Sequence, residues 1–208
     1  MDNIRFERQK DLRLRLPAKA SVIGVGGIGA WVAIDLALSG TQQLVLFDDD
    51  QLEYSNLNRL PFKPSDVGRP KTEVVSEFIT ERNPDVEVLC IGNFTEITQD
   101  FAEGIVVDFT DKLAVQKQVF TYCKRKRIQY HRVGYDGNHI TIIDAAHPDA
   151  PDPTAVWDDG SGRDGYTVVS SWAVPPQIAS AMLVHNLAYR ERLGPHKPIT
   201  CHLNELMK

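Results

Sequence analysis

The chain has 208 residues, of which 42% are hydrophobic and 25% charged. That is ordinary globular composition in a chain able to bury roughly 70% of its unfolded surface, which excludes wholesale disorder and removes the need for disulfides or a structural metal. Twenty-three Lys and Arg against 28 Asp and Glu leave a net charge of −5, so the molecule as a whole has no attraction for nucleic acid or an anionic membrane.

Residues 4–16 mix Leu and Ile with both signs of charge and end at Pro17. They read as a polar arm or short amphipathic helix, without the apolar centre of a secretory signal. Ser21–Gly24 is a brief apolar strand that meets glycines, Ile28–Leu38 a helix, and Gly40 its cap. Gln43–Phe47 is a second buried strand, stopped by Asp48, Asp49 and Asp50. The stretch 51–69 holds Pro61, Pro64 and Gly68 and reads as a long ordered loop of the functional kind. Pro70 opens a helix over Lys71–Arg82, and Val86–Ile91 alternates as a strand. Ile97–Ala102 reads as a short helix. Gly104–Phe109 is continuously apolar, as in a parallel sheet buried on both faces. A helix over Leu113–Lys126 and strands over Ile128–Val133 and His139–Ile143 follow. Residues 144–165 form an acidic surface loop, with six Asp between Asp144 and Asp164. Tyr166–Trp172 reads as a strand, Pro175–Arg192 as an apolar helix, and the tail from Gly194 has no clear pattern.

Strands alternating with helices predict a single α/β domain over residues 1–208. It is Rossmann-like, with a mostly parallel sheet, helices on both faces and antiparallel strands near the C-terminal end. No apolar run approaches the ~18 residues of a membrane span. Cys90, Cys123 and Cys201 stand far apart without a pairing pattern, which fits a reducing cytoplasm.

Gly24-Val-Gly26-Gly27-Ile-Gly29 follows a strand and opens a helix. Gly24 permits a tight turn, Gly26 lets the backbone approach a phosphate, and Gly29 lets helix and strand pack closely. The helix N-terminus supplies N–H groups and partial positive charge to an anion. Asp48 ends the next strand, where an acid meets ribose hydroxyls. The pattern predicts nucleotide binding and does not separate ATP from NAD. Taken singly, Arg59 and Lys71 read as solvated surface charges. Lys71 nonetheless stands in the first turn of its helix, where a cation opposes the macrodipole and a bound anion would reverse the sign of that penalty. Asp111, just beyond the central strand, lies at the same crevice. It suits either magnesium among phosphates or an N-cap for the helix starting near Leu113.

Taken together, six short motifs stand in a recognisable order: Gly24-x-Gly26-Gly27-x-Gly29, Phe47-Asp48-x-Asp50, Ser55-Asn56-Leu57-Asn58-Arg59, Val67-Gly68-x-Pro70-Lys71, Asn83-Pro84 and Thr110-Asp111. From about Phe6 to Ile143 the chain resembles the ThiF/MoeB/HesA family of ubiquitin-activating-enzyme-like adenylyltransferases. The resemblance implies ATP and Mg2+ as cofactors, with Asp48 and Asp50 at the nucleotide and Asp48 on the ribose. It implies Asn56, Arg59 and Lys71 on the phosphates and Asp111 on magnesium. Phe6-Glu7-Arg8-Gln9 resembles the family's N-terminal arm, which implies that Arg8 reaches the nucleotide of the other subunit of a homodimer. The implied reaction is adenylation of a carboxylate, in much of the family the Gly-Gly C-terminus of a ubiquitin-like sulfur-carrier protein.

Two departures narrow this expectation. The paired Cys-x-x-Cys motifs of zinc-binding members are absent, and His131, His139, His147, His185, His196 and His202 show no tight ligand spacing, so zinc is not expected. The acidic loop has no Cys, so adenylation without an enzyme thioester is expected. Two other activities fit parts of the pattern. A tRNA threonylcarbamoyladenosine dehydratase would be favoured by a basic surface beside the crevice from Lys124, Arg125, Lys126 and Arg127. An NAD-dependent oxidoreductase would use the glycines and Asp48 but leave Arg59, Lys71 and Asp111 without a role.

Overall fold

The computed structural model describes residues 4–144, 171–193 and 199–205. The acidic loop, most of the strand expected over Tyr166–Trp172, and His147 and His196 lie outside them. Strands β1 (Lys19–Ile23), β2 (Gln43–Phe47), β3 (Glu87–Ile91), β4 (Ile105–Asp108), β5 (Tyr130–Asp136), β6 (His139–Asp144) and β7 (Ile199–His202) build one sheet. Its order is β3-β2-β1-β4-β5-β6-β7. The first five strands in that order are parallel, and β6 and β7 run antiparallel. The chain works outward from β1 to β3 and then returns to β4 on the other side of β1. This creates a switch point, and a crevice, at the carboxyl ends of β1 and β4.

Period-2 alternation decides which helix covers which face. Ala20, Val22, Leu44, Leu46 and Val107 pack on one side with α1 (Gly27–Ser39), α2 (Lys71–Thr80) and α4 (Val174–Leu193). Ile23, Val45, Phe47 and Val106 pack on the other with α3 (Leu113–Lys126). There Phe94 stacks edge-on against both Phe47 and Tyr122, with ring centroids 5.4 and 5.5 Å apart. Each such fully buried aromatic contributes about 1.5–3 kcal/mol. Gly40 closes α1 at a φ of 121°, its N–H donating to the Leu36 carbonyl.

Several element boundaries differ from expectation, each for a local reason. Residues 97–102 hold only a 3₁₀ turn at Gln99–Phe101, ahead of which the Thr95 hydroxyl accepts the Thr98 N–H and the Thr98 hydroxyl accepts the Thr95 N–H. β5 starts at Tyr130 and runs on to Asp136, because its hairpin with β6 turns only at Gly137–Asn138, with Gly137 at a φ of 55°. In the patternless tail, β7 finds its partner in β6. Residues Ile4–Leu12 form a 3₁₀ helix with no buried residue. Arg5 bonds to Asp85, two residues before β3 begins, and the Arg15 N–H donates to Ala188 late in α4. The arm therefore lies at the amino-terminal ends of the parallel strands, opposite the crevice.

Where α1 meets α4, Ser180 donates a 2.6 Å hydrogen bond to half-buried Asp35. Burial raises the Asp35 carboxyl above its ordinary range, and the Ser180 bond only partly opposes this. A raised folded-state pKa means full stability below the unfolded value and a loss as pH rises through the folded one. Asp35→Asn, whose amide oxygen still accepts from Ser180, is expected to raise the melting temperature at pH 7 by about 2–4 °C. The advantage over wild type should shrink toward pH 3 in paired thermal melts.

Candidate active site

The turn after β1 is held from below. Gly24 has a φ of +85°, which only glycine adopts without strain. Its N–H donates to the Phe47 carbonyl at 2.8 Å. Asp48 then clamps the turn: one carboxylate oxygen accepts the Val25 N–H at 2.6 Å and the other the Asp50 N–H at 2.8 Å. Burial raises the Asp48 carboxyl, opposed by the nearby Lys71 charge and these two N–H bonds. Each oxygen keeps a lone pair for a further donor. A Cβ on Gly29 would lie 1.9 Å from the Gly24 carbonyl, so α1 can approach this closely only through glycine, whereas a Cβ on Gly26 would meet nothing within 4 Å. Gly29 thus sets the packing and Gly26 borders open space.

That space is a cleft of about 330 Å³. Gly24, Gly26, Gly27, Asp48, Asp50, Arg59, Lys71 and Asp111 all line it, so most of the residues singled out in the sequence converge there from five separate segments. The loop over residues 51–70 positions Arg59 and, where it ends, Lys71 at the head of α2. Gln51 bridges Pro70, and the Leu52 N–H bonds the Arg69 carbonyl, closing residues 51–70 into a compact loop with Leu52 and Leu60 buried. The Trp31 ring N–H holds the Arg59 carbonyl at 2.8 Å. The Arg59 side chain lies over Gly27, where a Cβ would come within 3.2 Å of its Nε, and its guanidinium donates to the Ser55 carbonyl and the Asn58 side chain. Lys71, its side chain only 12% exposed, pairs with Asp50 at 2.6 Å.

Two residues named from the resemblance stand apart from the cleft lining. Asn56 is buried, and its side-chain oxygen accepts the Glu53 N–H at 3.1 Å, capping the turn that leads to Arg59. Arg8 is exposed on the arm, at the opposite end of the strands.

The far side of the cleft rests on a buried charge. Asp108 is fully buried and accepts the Thr110 N–H and hydroxyl at 2.9 and 2.7 Å and the Tyr130 hydroxyl at 2.8 Å. Arg132 lies 3.5 Å from the same carboxylate, and both Arg132 and Gln116 donate to the Thr110 carbonyl. Burial, reinforced by the Asp108 charge, pushes the Tyr130 hydroxyl well above its ordinary range, so it stays a donor. The network fixes the turn that carries Asp111, which is exposed toward the cleft. Sequence reading missed Asp108, as it missed Asn93 and Tyr135, which also line the cleft. Asn93 donates to Asp49 at 2.6 Å, and the Tyr135 hydroxyl bonds Ser171 at the entry to α4.

Among the described residues, Asp48, Asp49 and Asp50 form the one group of three side chains able to share a metal ion, their oxygens within 4.8 Å. His139 and His202 stack edge-on with ring centroids 5.1 Å apart. Burial pushes the Cys123 thiol up to about 12 and raises Cys90, so neither is a ready nucleophile. Lys124–Arg127 is not beside the crevice. It ends α3, whose other end starts next to Asp111, so about 20 Å of helix separates the two. Cations at a helix C-terminus favour the dipole there, Arg127 caps the helix with left-handed backbone, and Lys126 pairs with Asp100. No described helix is long and apolar enough to cross a membrane.

A mostly parallel sheet with a glycine turn at its switch point, flanked by cations and carboxylates, defines an α/β protein of the Rossmann-like kind. The chain belongs to the ThiF family, whose model matches residues 1–186. It is 37% identical over 131 residues to the tRNA threonylcarbamoyladenosine dehydratase of Haemophilus influenzae, covering 60% of this chain and 50% of that protein. It is 33% identical over 150 residues to the sulfur carrier protein ThiS adenylyltransferase of Escherichia coli, covering 68% and 59%. The chain thus spans only a little over half the length of these relatives. E. coli MccB, solved with AMPCPP and MccA, superposes with a TM-score of 0.80 at 23% identity over 97% of this chain and 69% of that one. That likeness speaks for the fold.

Gly29→Ala forces the Gly24 carbonyl away from α1. It is expected to destabilise the protein by about 3 kcal/mol or more, read as a lower denaturation midpoint at unchanged m-value.

Proposed function

We propose that the chain is an ATP-dependent adenylyltransferase that activates a carboxylate as an acyl-adenylate, without an enzyme thioester. The observation that carries this reading is the single cleft in which the glycine turn, Asp48, Arg59, Lys71 and Asp111 meet. Hydride transfer to NAD would leave the last three without work. In this reading Asp48 receives the ribose, the open space at Gly26 receives the phosphates, and Arg59 and Lys71 neutralise them. Asp111 would hold Mg2+, which suits one carboxylate plus phosphate oxygens and supplies charge neutralisation at the phosphates. Asn56 contributes by fixing the turn that presents Arg59. A substrate carboxylate oxygen attacks the α-phosphorus, the bond to the bridging oxygen breaks, and pyrophosphate leaves with the electron pair. The carboxylate is already ionised, so the protein supplies positioning and charge stabilisation rather than a general base.

The proposed acceptor is the C-terminus of a ubiquitin-like sulfur-carrier protein with a Gly-Gly tail, by analogy with the ThiS adenylyltransferase. The likeness to the tRNA dehydratase favours a second acceptor, a small carboxylate on tRNA, although the basic end of α3 gives no support beside the cleft. We read residues 1–208 as one ThiF-type domain working in the cytoplasm, where three free cysteines are at home. ATP–pyrophosphate exchange that depends on an added carrier protein, or on tRNA, tests the reading. Exchange with neither, in protein that also fails to bind ATP, would refute it.

The same reading makes the protein a homodimer with Arg8 reaching the partner's nucleotide. The position of the arm, opposite its own cleft, supports action in trans. Arg8→Ala and Lys71→Ala are each expected to lose ~10²-fold in exchange activity while staying folded. Mixing the two variants with subunit exchange should restore about a quarter of wild-type activity, since about half the dimers are mixed and each has one intact site. Verified exchange without recovery would rule the trans contact out.

A further inference from the structure

The cleft holds another cation to which the reading above gives no task. Lys112 lines it beside Asp111 and is exposed. Lys71 is paired with Asp50, and Arg59 is engaged with Ser55 and Asn58. Among the described residues Lys112 makes no ion pair, so its ammonium has the least to give up on meeting a ligand.

Nothing in the helix accounts for this charge. Lys112 is the N-cap of α3 and makes no side-chain bond to the first turn, which contains no acidic residue. Ser, Thr, Asp or Asn would stabilise that position, and a cation there faces the positive end of the dipole. Lys71 stands in the first turn of α2, where Asp50 and Glu73 already offset its charge. The Lys112 penalty changes sign only once an anion occupies the cleft.

The strand order fixes which part of the ligand lies at Lys112. Asp48 ends β2, the glycine turn follows β1, and Asp111–Lys112 follows β4, with β2, β1 and β4 adjacent in the sheet. Neighbouring strands stand about 4.8 Å apart. A nucleotide with its ribose at Asp48 and its first phosphate over the turn therefore carries its terminal phosphates toward β4. Resting on the nucleotide reading, we propose that Lys112 is a further phosphate-binding cation of this site, holding the β- and γ-phosphates of ATP and the pyrophosphate they become. As the α-phosphorus bond to the bridging oxygen breaks, the electron pair passes to pyrophosphate, and Lys112 offsets the added charge next to the carboxylate of Asp111.

Calorimetry with AMP, magnesium AMPCPP and inorganic pyrophosphate tests the assignment on the full chain. Lys112→Ala is expected to leave AMP affinity unchanged and to weaken AMPCPP and pyrophosphate ~10-fold. Lys112→Arg should restore most of the loss, and Lys112→Glu should deepen it. Circular dichroism should not change and the melting temperature should not fall, because the side chain is exposed and its loss relieves the helix-dipole penalty. Unchanged AMPCPP and pyrophosphate affinity in Lys112→Ala would overturn the proposal and leave a solvated rim charge. Equal weakening of AMP would overturn it as well, by showing a general distortion of the site. Wild-type protein that binds none of the three probes would refute the nucleotide reading itself, a result distinct from either.

Discussion

The carboxylate of Asp48 is the joint on which the cleft depends. It ties the backbone of the glycine turn at Val25 to the end of β2 at Asp50, adding to the Gly24 N–H bond to the Phe47 carbonyl. Burial works against its charge and the two N–H groups work for it. The result is a turn whose N–H at Val25 is already spent, so the N–H groups left for an anion are those at the start of α1. From the same strand end hangs Asp50, which holds both the backbone and the ammonium of Lys71. One acidic run thus orients the turn, the head of α2 and a cation together.

The other bank of the cleft is organised by a different device. Asp108 is a charge with no access to water, and a buried carboxylate is tolerated only when its oxygens are satisfied. Thr110, Tyr130 and Arg132 satisfy them. Because two of these partners lie on β5 and one on the turn after β4, satisfying the charge also fixes how that turn sits against the sheet. Removing any partner would cost more than a surface bond, since the remaining groups would stay buried.

Much of this was legible in the sequence where the signal is local. Gln43–Phe47 and Leu113–Lys126 were read to the residue, because a short apolar run between turn residues and a long amphipathic period leave little choice. The convergence of Gly26, Asp48, Arg59, Lys71 and Asp111 was legible from the order of motifs. What was not legible depends on contacts distant in sequence. Asp108 reads as the end of an apolar strand until Tyr130 and Arg132 are seen beside it. β7 has only four residues and becomes a strand because β6 offers it an open edge. Lys124–Arg127 has the composition of a nucleic-acid patch, but its position is set by the direction of α3, which carries it away from the crevice. Asn56 looks like a ligand-binding amide within its motif, and only the structure shows that its side-chain oxygen also accepts the Glu53 N–H and caps the turn leading to Arg59.

The ion pair between Lys71 and Asp50 gives the cleft a threshold. Any anion that reaches Lys71 must compete with a carboxylate already 2.6 Å away, on an aspartate whose side chain is 68% exposed and can be hydrated once released. On the adenylyltransferase reading, a single weak charge meets only this one exchange, whereas a polyanion that meets several cations and backbone donors at once draws on all of them for it. Occupancy then becomes a cooperative matter of how many charges a ligand brings rather than how strongly any one of them is held.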